Sequence, residues 1–358
     1  MPIEPARLAA RRCYRLGGTV ALALAIAYGS GISVPYLAPL LAFVMTVKPA
    51  PPMGFGKLAV VALVLAIILA SGLVIAPLLH NVPLVAIVLV GLGLFVSAKL
   101  SLGGDRAAVG TLLAVGLTLV SAMGVLSLAL AQAIVEALVV AFIIAVIAQS
   151  FIYPFFPECE LQSGSADEHT VNDVSIRADN TLAWQSVAVS LPAYIFLLID
   201  PIRHAPVMMK SISLSQTGAG ETARKMGGEL LLATCAGGVL AIGLWFGLKL
   251  APTLVMFSLW TALVMTGIGR KIYCDGSSRR SVQFWTDVGV TCLILIGPAV
   301  EDSANGKDPY EGFAFRFGLF LLVSVYTWLA LSLLGIWRDN TQAPIQSASN
   351  DLHRSFSE

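Results

Sequence analysis

The sequence predicts an all-α polytopic membrane protein: two parallel six-helix repeats, about 12 transmembrane segments in all. Three observations predict it. First, hydrophobic residues make up 57% of the 358 positions and charged residues only 12%. Soluble domains run at roughly 45–50% and about 25%, so lipid must cover the apolar surface that a soluble core could not hide. Second, the apolar residues fall into runs of spanning length. Third, landmark residues recur in the same order in the two halves.

Along the chain, a basic segment at 1–15 holds Arg7, Arg11, Arg12 and Arg15 and leads into a small-residue apolar run at 16–33. The apolar pattern continues beyond that run, so it reads as a retained first span and not as a cleaved leader. Further spans follow at 35–48, 56–78, 82–101, 107–124 and 127–154, closing a first repeat over 16–154. An acidic linker at 155–180 carries Glu158, Glu160, Asp167, Glu168, Asp173 and Asp179 and reads as solvated. The second repeat, 181–337, has spans at 181–200, 204–217, 226–249, 252–271, 281–298 and 311–337. The second and eighth spans are short and pack against neighbours. The polar tail at 338–358 is expected to be disordered.

The repeat rests on ordered matches. Ala38-Pro39 opens the second span and Ala205-Pro206 the eighth; Pro83 starts the fourth and Pro252 the tenth. Gly-containing basic entries (Gly54, Gly56 and Lys57; Gly218, Arg224, Lys225, Gly227 and Gly228) precede the third and ninth. Six spans per half give both halves the same orientation, a parallel repeat. With both ends cytoplasmic, only Arg203, Lys249 and Lys307 fall outside and Arg316 lies within a span. The other 18 of the 22 Lys and Arg face inward, as the positive-inside rule asks.

The basic N-terminus, the small-residue first span and the stretch from Tyr36 to Thr46 resemble the start of the fusaric acid resistance and aromatic acid exporter family. The entry from Glu221 to Gly228, with Gly237-Gly238 beyond it, resembles that family's Arg-x-x-Gly-Thr-x-x-Gly entry, with Gly where Thr is usual. The resemblance covers nearly the whole chain in architecture, although the large cytoplasmic domain of well-known members is replaced by about 25 residues. It implies an efflux component of the bacterial inner membrane, exporting aromatic carboxylic and related weak acids and working with a periplasmic adaptor subunit. An anion channel and a non-transporting scaffold subunit are the alternatives.

Ionisable side chains inside spans cost about 2.5–3.5 kcal/mol each on insertion scales and so need a reason. Glu136, four residues after Gln132 and so on the same helix face, reads as a proton-coupling carboxylate, with Gln132 beside it as a substrate contact; the alternative is a neutral packing bond. Arg316, between Phe315 and Phe317, reads as the holder of an aromatic carboxylate, or as a structural partner of Glu136. Asp287 reads as a relay of protons, a partner of Arg316, or an interfacial residue. Gly243 and Gly247 form a small-xxx-small pair for helix approach, within the protomer or across a homodimer. The five cysteines and four histidines show no metal-ligand spacing, and no Ser–His pair, catalytic carboxylate pair or phosphate-cradling loop is present. The expectation is therefore a transporter and not an enzyme. It needs no metal or cofactor, and its partners are a small organic acid, the bilayer, the adaptor and a second copy, with no nucleic acid.

Overall fold

The computed structural model describes residues 5–47, 54–102, 107–157, 178–217, 223–274, 281–306 and 308–329. Most of the acidic linker, the polar tail and the start of the second basic entry lie outside them. The described chain is helical throughout, without a strand. Helix α1 spans Pro5–Gly29, α2 Leu37–Val47, α3 Phe55–Asn81 and α4 Pro83–Leu102. Helices α5 (Ala107–Val115) and α6 (Ser121–Leu126) are joined without a break by a π-helical turn, Gly116–Val120. Then come α7 (Leu128–Ile152), α8 (Ala178–Ile199), α9 (Pro201–Thr217), α10 (Ala223–Leu250), α11 (Leu254–Tyr273) and α12 (Val282–Ala304), and finally α13 (Pro309–Leu329).

Local chemistry sets the boundaries. Pro5, Pro83, Pro201 and Pro309 open their helices, where a missing N–H costs nothing. Ser127, Thr253 and Ser281 cap α7, α11 and α12 by accepting from the N–H groups of Leu130, Met256 and Phe284 at 3.1, 3.3 and 3.2 Å. Gly31, at φ +67°, takes the left-handed conformation that releases the chain from α1. Pro192 does not interrupt α8, which runs through it.

Among the described residues seven helical segments are long and apolar enough to cross a bilayer: α3, α4, α5–α6, α7, α10, α12 and α13. The protein is therefore a polytopic helical membrane protein, with seven such spans on this criterion against the twelve expected. Helix α2, at 11 residues, is only about 16 Å long against a hydrocarbon core of about 30 Å. It survives as a half-length piece with Leu37, Ala38, Leu40, Ala42 and Phe43 buried. Helices α1, α8, α9 and α11 fall short through polar turns at one end or through length.

The neighbours of each helix show a pattern. Helix α1 lies along α11, and α8 lies along α4. Helix α2 packs on α1 and α12, while α9 packs on α8 and the α5–α6 segment. Helix α3 packs on α4 and α5–α6, while α10 packs on α11 and α12. Two glycines occupy like places: a Cβ on Gly72 of α3 would collide with the Gly116 carbonyl, and one on Gly237 of α10 would sit 2.9 Å from the Val288 carbonyl. Two tyrosine hydroxyls cross in like manner. Tyr28 of α1 donates to the Gly297 carbonyl of α12 at 3.3 Å, and Tyr194 of α8 bonds Ser121 of α6 at 3.0 Å.

Helix α12 is the axis of the packing: 78% of its span is enclosed, against 56% or less in the other six. Phe43 of α2 fits against Gly289, and Tyr36 against Gly297.

Candidate functional site

Two ends of the bundle can be distinguished: a near end, where α1 begins, and a far end, where α1 stops and α2 starts. The polar chemistry on α12 divides between them.

At the far end α12 continues past Pro298 to Glu301 and Asp302, instead of ending at 298 as the sequence suggests. Proline removes one backbone N–H, and neighbouring helices make this tolerable within a membrane. The extra turn carries two carboxyl groups towards α13. Arg316, seven residues into α13, donates from Nη2 to Asp302 Oδ2 at 2.6 Å, and the two side chains are only 18% and 17% exposed. Gly312 makes this approach possible, because a Cβ there would stand 2.8 Å from the same oxygen. Short, charge-assisted contacts of this kind are among the stronger hydrogen bonds. Two atoms beside it are left buried and without a partner: Glu301 Oε1 and Arg316 Nη1. Tyr28, Tyr36 and Arg316 all lie within electrostatic reach of Glu301. The result is a compact group of two carboxyls, one guanidinium and two phenols, holding one spare acceptor and one spare donor.

The aromatic neighbours differ from those expected. Phe315 and Phe317 do not sandwich Arg316, since adjacent residues on a helix point about 100° apart. Phe315 turns towards His204, 6.4 Å between centroids, and towards the Arg203 guanidinium, 6.0 Å away. Phe317 stacks on Phe313 at 6.2 Å and fits against Gly238. His204 is buried and stacked on Phe196 at 4.1 Å.

The other predicted residues lie elsewhere. Asp287 is buried, 5% exposed, in the second turn of α12. It stands fifteen residues from Asp302, about 22 Å along the axis, so it does not pair with Arg316. Gln132 and Glu136 do share a face of α7, but that face points outward and both are exposed. Glu136 therefore does not meet Arg316, which takes Asp302 instead. Of the small-residue pair, Gly247 packs on Trp260 of α11 within the protomer, and Gly243 faces open space.

Sequence reasoning missed Glu301, Asp302 and Arg15. Arg15 is 2% exposed and lies at the near end with its guanidinium 5.7 Å from the Tyr153 ring, although its sequence context reads as a cytoplasmic anchor. The near end also holds a thiol pair: Cys13 of α1 and Cys274, just past α11, approach to 3.6 Å.

Residues 12–151 match the model of a family described as protein of unknown function (DUF2955). The match runs from the start of the third turn of α1 to the last turn of α7. No curated protein and no solved structure matches the chain.

Proposed function

We propose that this chain is a secondary transporter, an efflux component of the bacterial inner membrane that exports small organic acids, aromatic carboxylic acids among them, at the expense of the proton gradient. The observation that carries the reading is the half-buried group made by Glu301 and Asp302 of α12, the most enclosed of the spanning helices, with Arg316 of α13, in which Arg316 Nη1 and Glu301 Oε1 are unsatisfied. A guanidinium with one arm committed and one arm free can take a second carboxylate. A cargo carboxylate and Asp302 then compete for Arg316. Protonation of Asp302 frees the guanidinium, and loss of that proton recaptures it, which is the elementary exchange a proton-coupled carrier needs. Glu301 is a second carboxyl within the same field, and the rings of Tyr28 and Tyr36 suit an aromatic acid. The coupling role moves from Glu136 and Asp287 to these far-end carboxyls, because one of the former faces outward and the other lies about 22 Å along α12 from Asp302, the partner of the arginine.

The architecture belongs to the same proposal: two parallel repeats, α1–α7 and α8–α13, rocking about α12. Support comes from the matched neighbours of α1 and α8, of α2 and α9 and of α3 and α10. It comes also from a family match that stops where the first repeat would stop. The resemblance to aromatic acid exporters adds a periplasmic adaptor as partner.

The test is accumulation of benzoate and hydroxybenzoates, with neutral analogues as controls, in everted vesicles under an imposed pH gradient. Wild type should accumulate the acids alone, Arg316→Ala should accumulate them at least about tenfold more slowly, and Asp302→Asn should lose the dependence on the gradient. Undiminished uptake by Arg316→Ala would sink the cargo role, and no gradient-dependent uptake of any acid by wild type would sink the transporter reading.

A further inference from the structure

We infer that the outward face of α7 formed by Gln132, Glu136 and Val140 is the surface through which two copies of this chain pair in the bilayer. Among the described residues, the other exposed Lys, His and Glu side chains on the spanning helices sit within a turn of a helix end: Lys57 and His80 on α3, Lys99 on α4, Lys249 on α10 and Glu311 on α13. Glu136 does not. It is eight residues from the nearer end of α7, about 12 Å along the axis, and it makes no hydrogen bond or ion pair with any of the described residues. Gln132 is exposed one turn away on the same stripe, which continues through Val140, Ile147 and Phe151.

Hydrocarbon offers neither donors nor acceptors, so polar groups at this depth need a protein partner. The two side chains supply a matched set. An amide donates and accepts, and so does a protonated carboxyl. In a dimer whose two-fold axis runs along the membrane normal, α7 meets α7 in parallel at equal depth. Four residues, about 6 Å along the axis, separate the two positions, a step that these two long side chains can bridge from Glu136 of one copy to Gln132 of the second copy, and the reverse. An isologous interface requires this kind of self-complementarity. Ala129 and Ala133 flank the stripe and let the helices come close. Helix α13, the counterpart of α7 in the second half, presents Gly318, Leu322 and Val325 outward. That face is apolar and is satisfied by lipid alone.

The test uses the full chain in native membranes, with Cys13, Cys159, Cys235, Cys274 and Cys292 replaced by Ala. Val140→Cys is compared with Leu322→Cys under copper-phenanthroline oxidation. The expected result is a covalent dimer from Val140→Cys and none from Leu322→Cys. Independently, energy transfer between labelled copies is followed as vesicles are diluted with lipid. Glu136→Leu, a residue that lipid accepts on an exposed face, should weaken pairing about tenfold, the loss of two interhelical hydrogen bonds. Glu136→Gln keeps a donor and an acceptor and should stay within about twofold. No dimer at Val140 above the Leu322 control, unaltered pairing in Glu136→Leu, or cross-linking only to a different protein would each overturn the assignment.

Discussion

Asp302→Ala and Arg316→Ala, singly and together, test the central electrostatic claim without any knowledge of cargo. Breaking a fully buried ion pair costs about 3–5 kcal/mol, because the remaining charge is left uncompensated. Here the two side chains keep 17–18% of their exposure, so water still reaches the pair and about 2–3 kcal/mol is the fitting figure for each single change. Removing both partners removes the orphaned charge. The double variant should then lose no more than the worse single, a coupling of about 2 kcal/mol. Cys292, fully buried at the centre of α12, gives the readout. In a chain whose other cysteines are replaced, its reaction with a thiol dye reports opening of the packed axis as the temperature rises. At about 2–4 °C per kcal/mol for domains of 150–250 residues, and less for a longer chain, each single should lower the midpoint by about 2–6 °C. If the double variant falls by the sum of the two singles, Asp302 and Arg316 are not energetically coupled and the site argument fails.

Replacing Gly237 by Leu should force α10 off α12, because even a Cβ there meets Val288 and Thr291; overpacking costs about 1–3 kcal/mol, read by the same Cys292 labelling. Exposed Cys274 should alkylate readily. Cys13, whose thiol is pushed up to about 12 by burial and then by its neighbour Cys274, should resist alkylation until high pH, as mass spectrometry of the labelled peptides will show. Mild oxidation should join those two cysteines and tie α1 to α11, giving a faster-migrating band on non-reducing gels. Ser121→Ala should free the Tyr194 hydroxyl and cost about 1 kcal/mol, checked by thermal unfolding.

Composition alone made the helical membrane class legible, and capping residues placed several ends well: the expected span at 127–154 became Leu128–Ile152 behind Ser127. Side-chain direction was less legible. The four-residue spacing of Gln132 and Glu136 says that they share a face, but not whether that face looks into the bundle or out of it; only the packing of α7 on α1, α2 and α3 decides. Pro298 read as a stop, which placed Glu301 and Asp302 in a loop and hid the partner of Arg316. Arg15 read as an anchor because basic N-termini usually are, yet Gly17 lets α1 lie close enough to α11 to enclose that turn. In each case tertiary contact overrode a local signal.

The pairing of α1 with α11 also has a consequence for biosynthesis. Helix α1 leaves the ribosome well before α11 and finds this main neighbour only when Tyr273 has been made. At about 5–20 residues per second that is a wait of roughly 12–50 s. Throughout it, the groove-forming face of α1, with Arg15 and Thr19, must be sheltered by α2, α7 or the insertion machinery. Separately expressed halves would therefore each leave exposed the faces that cover one another in the whole chain, α1 against α11 and α4 against α8.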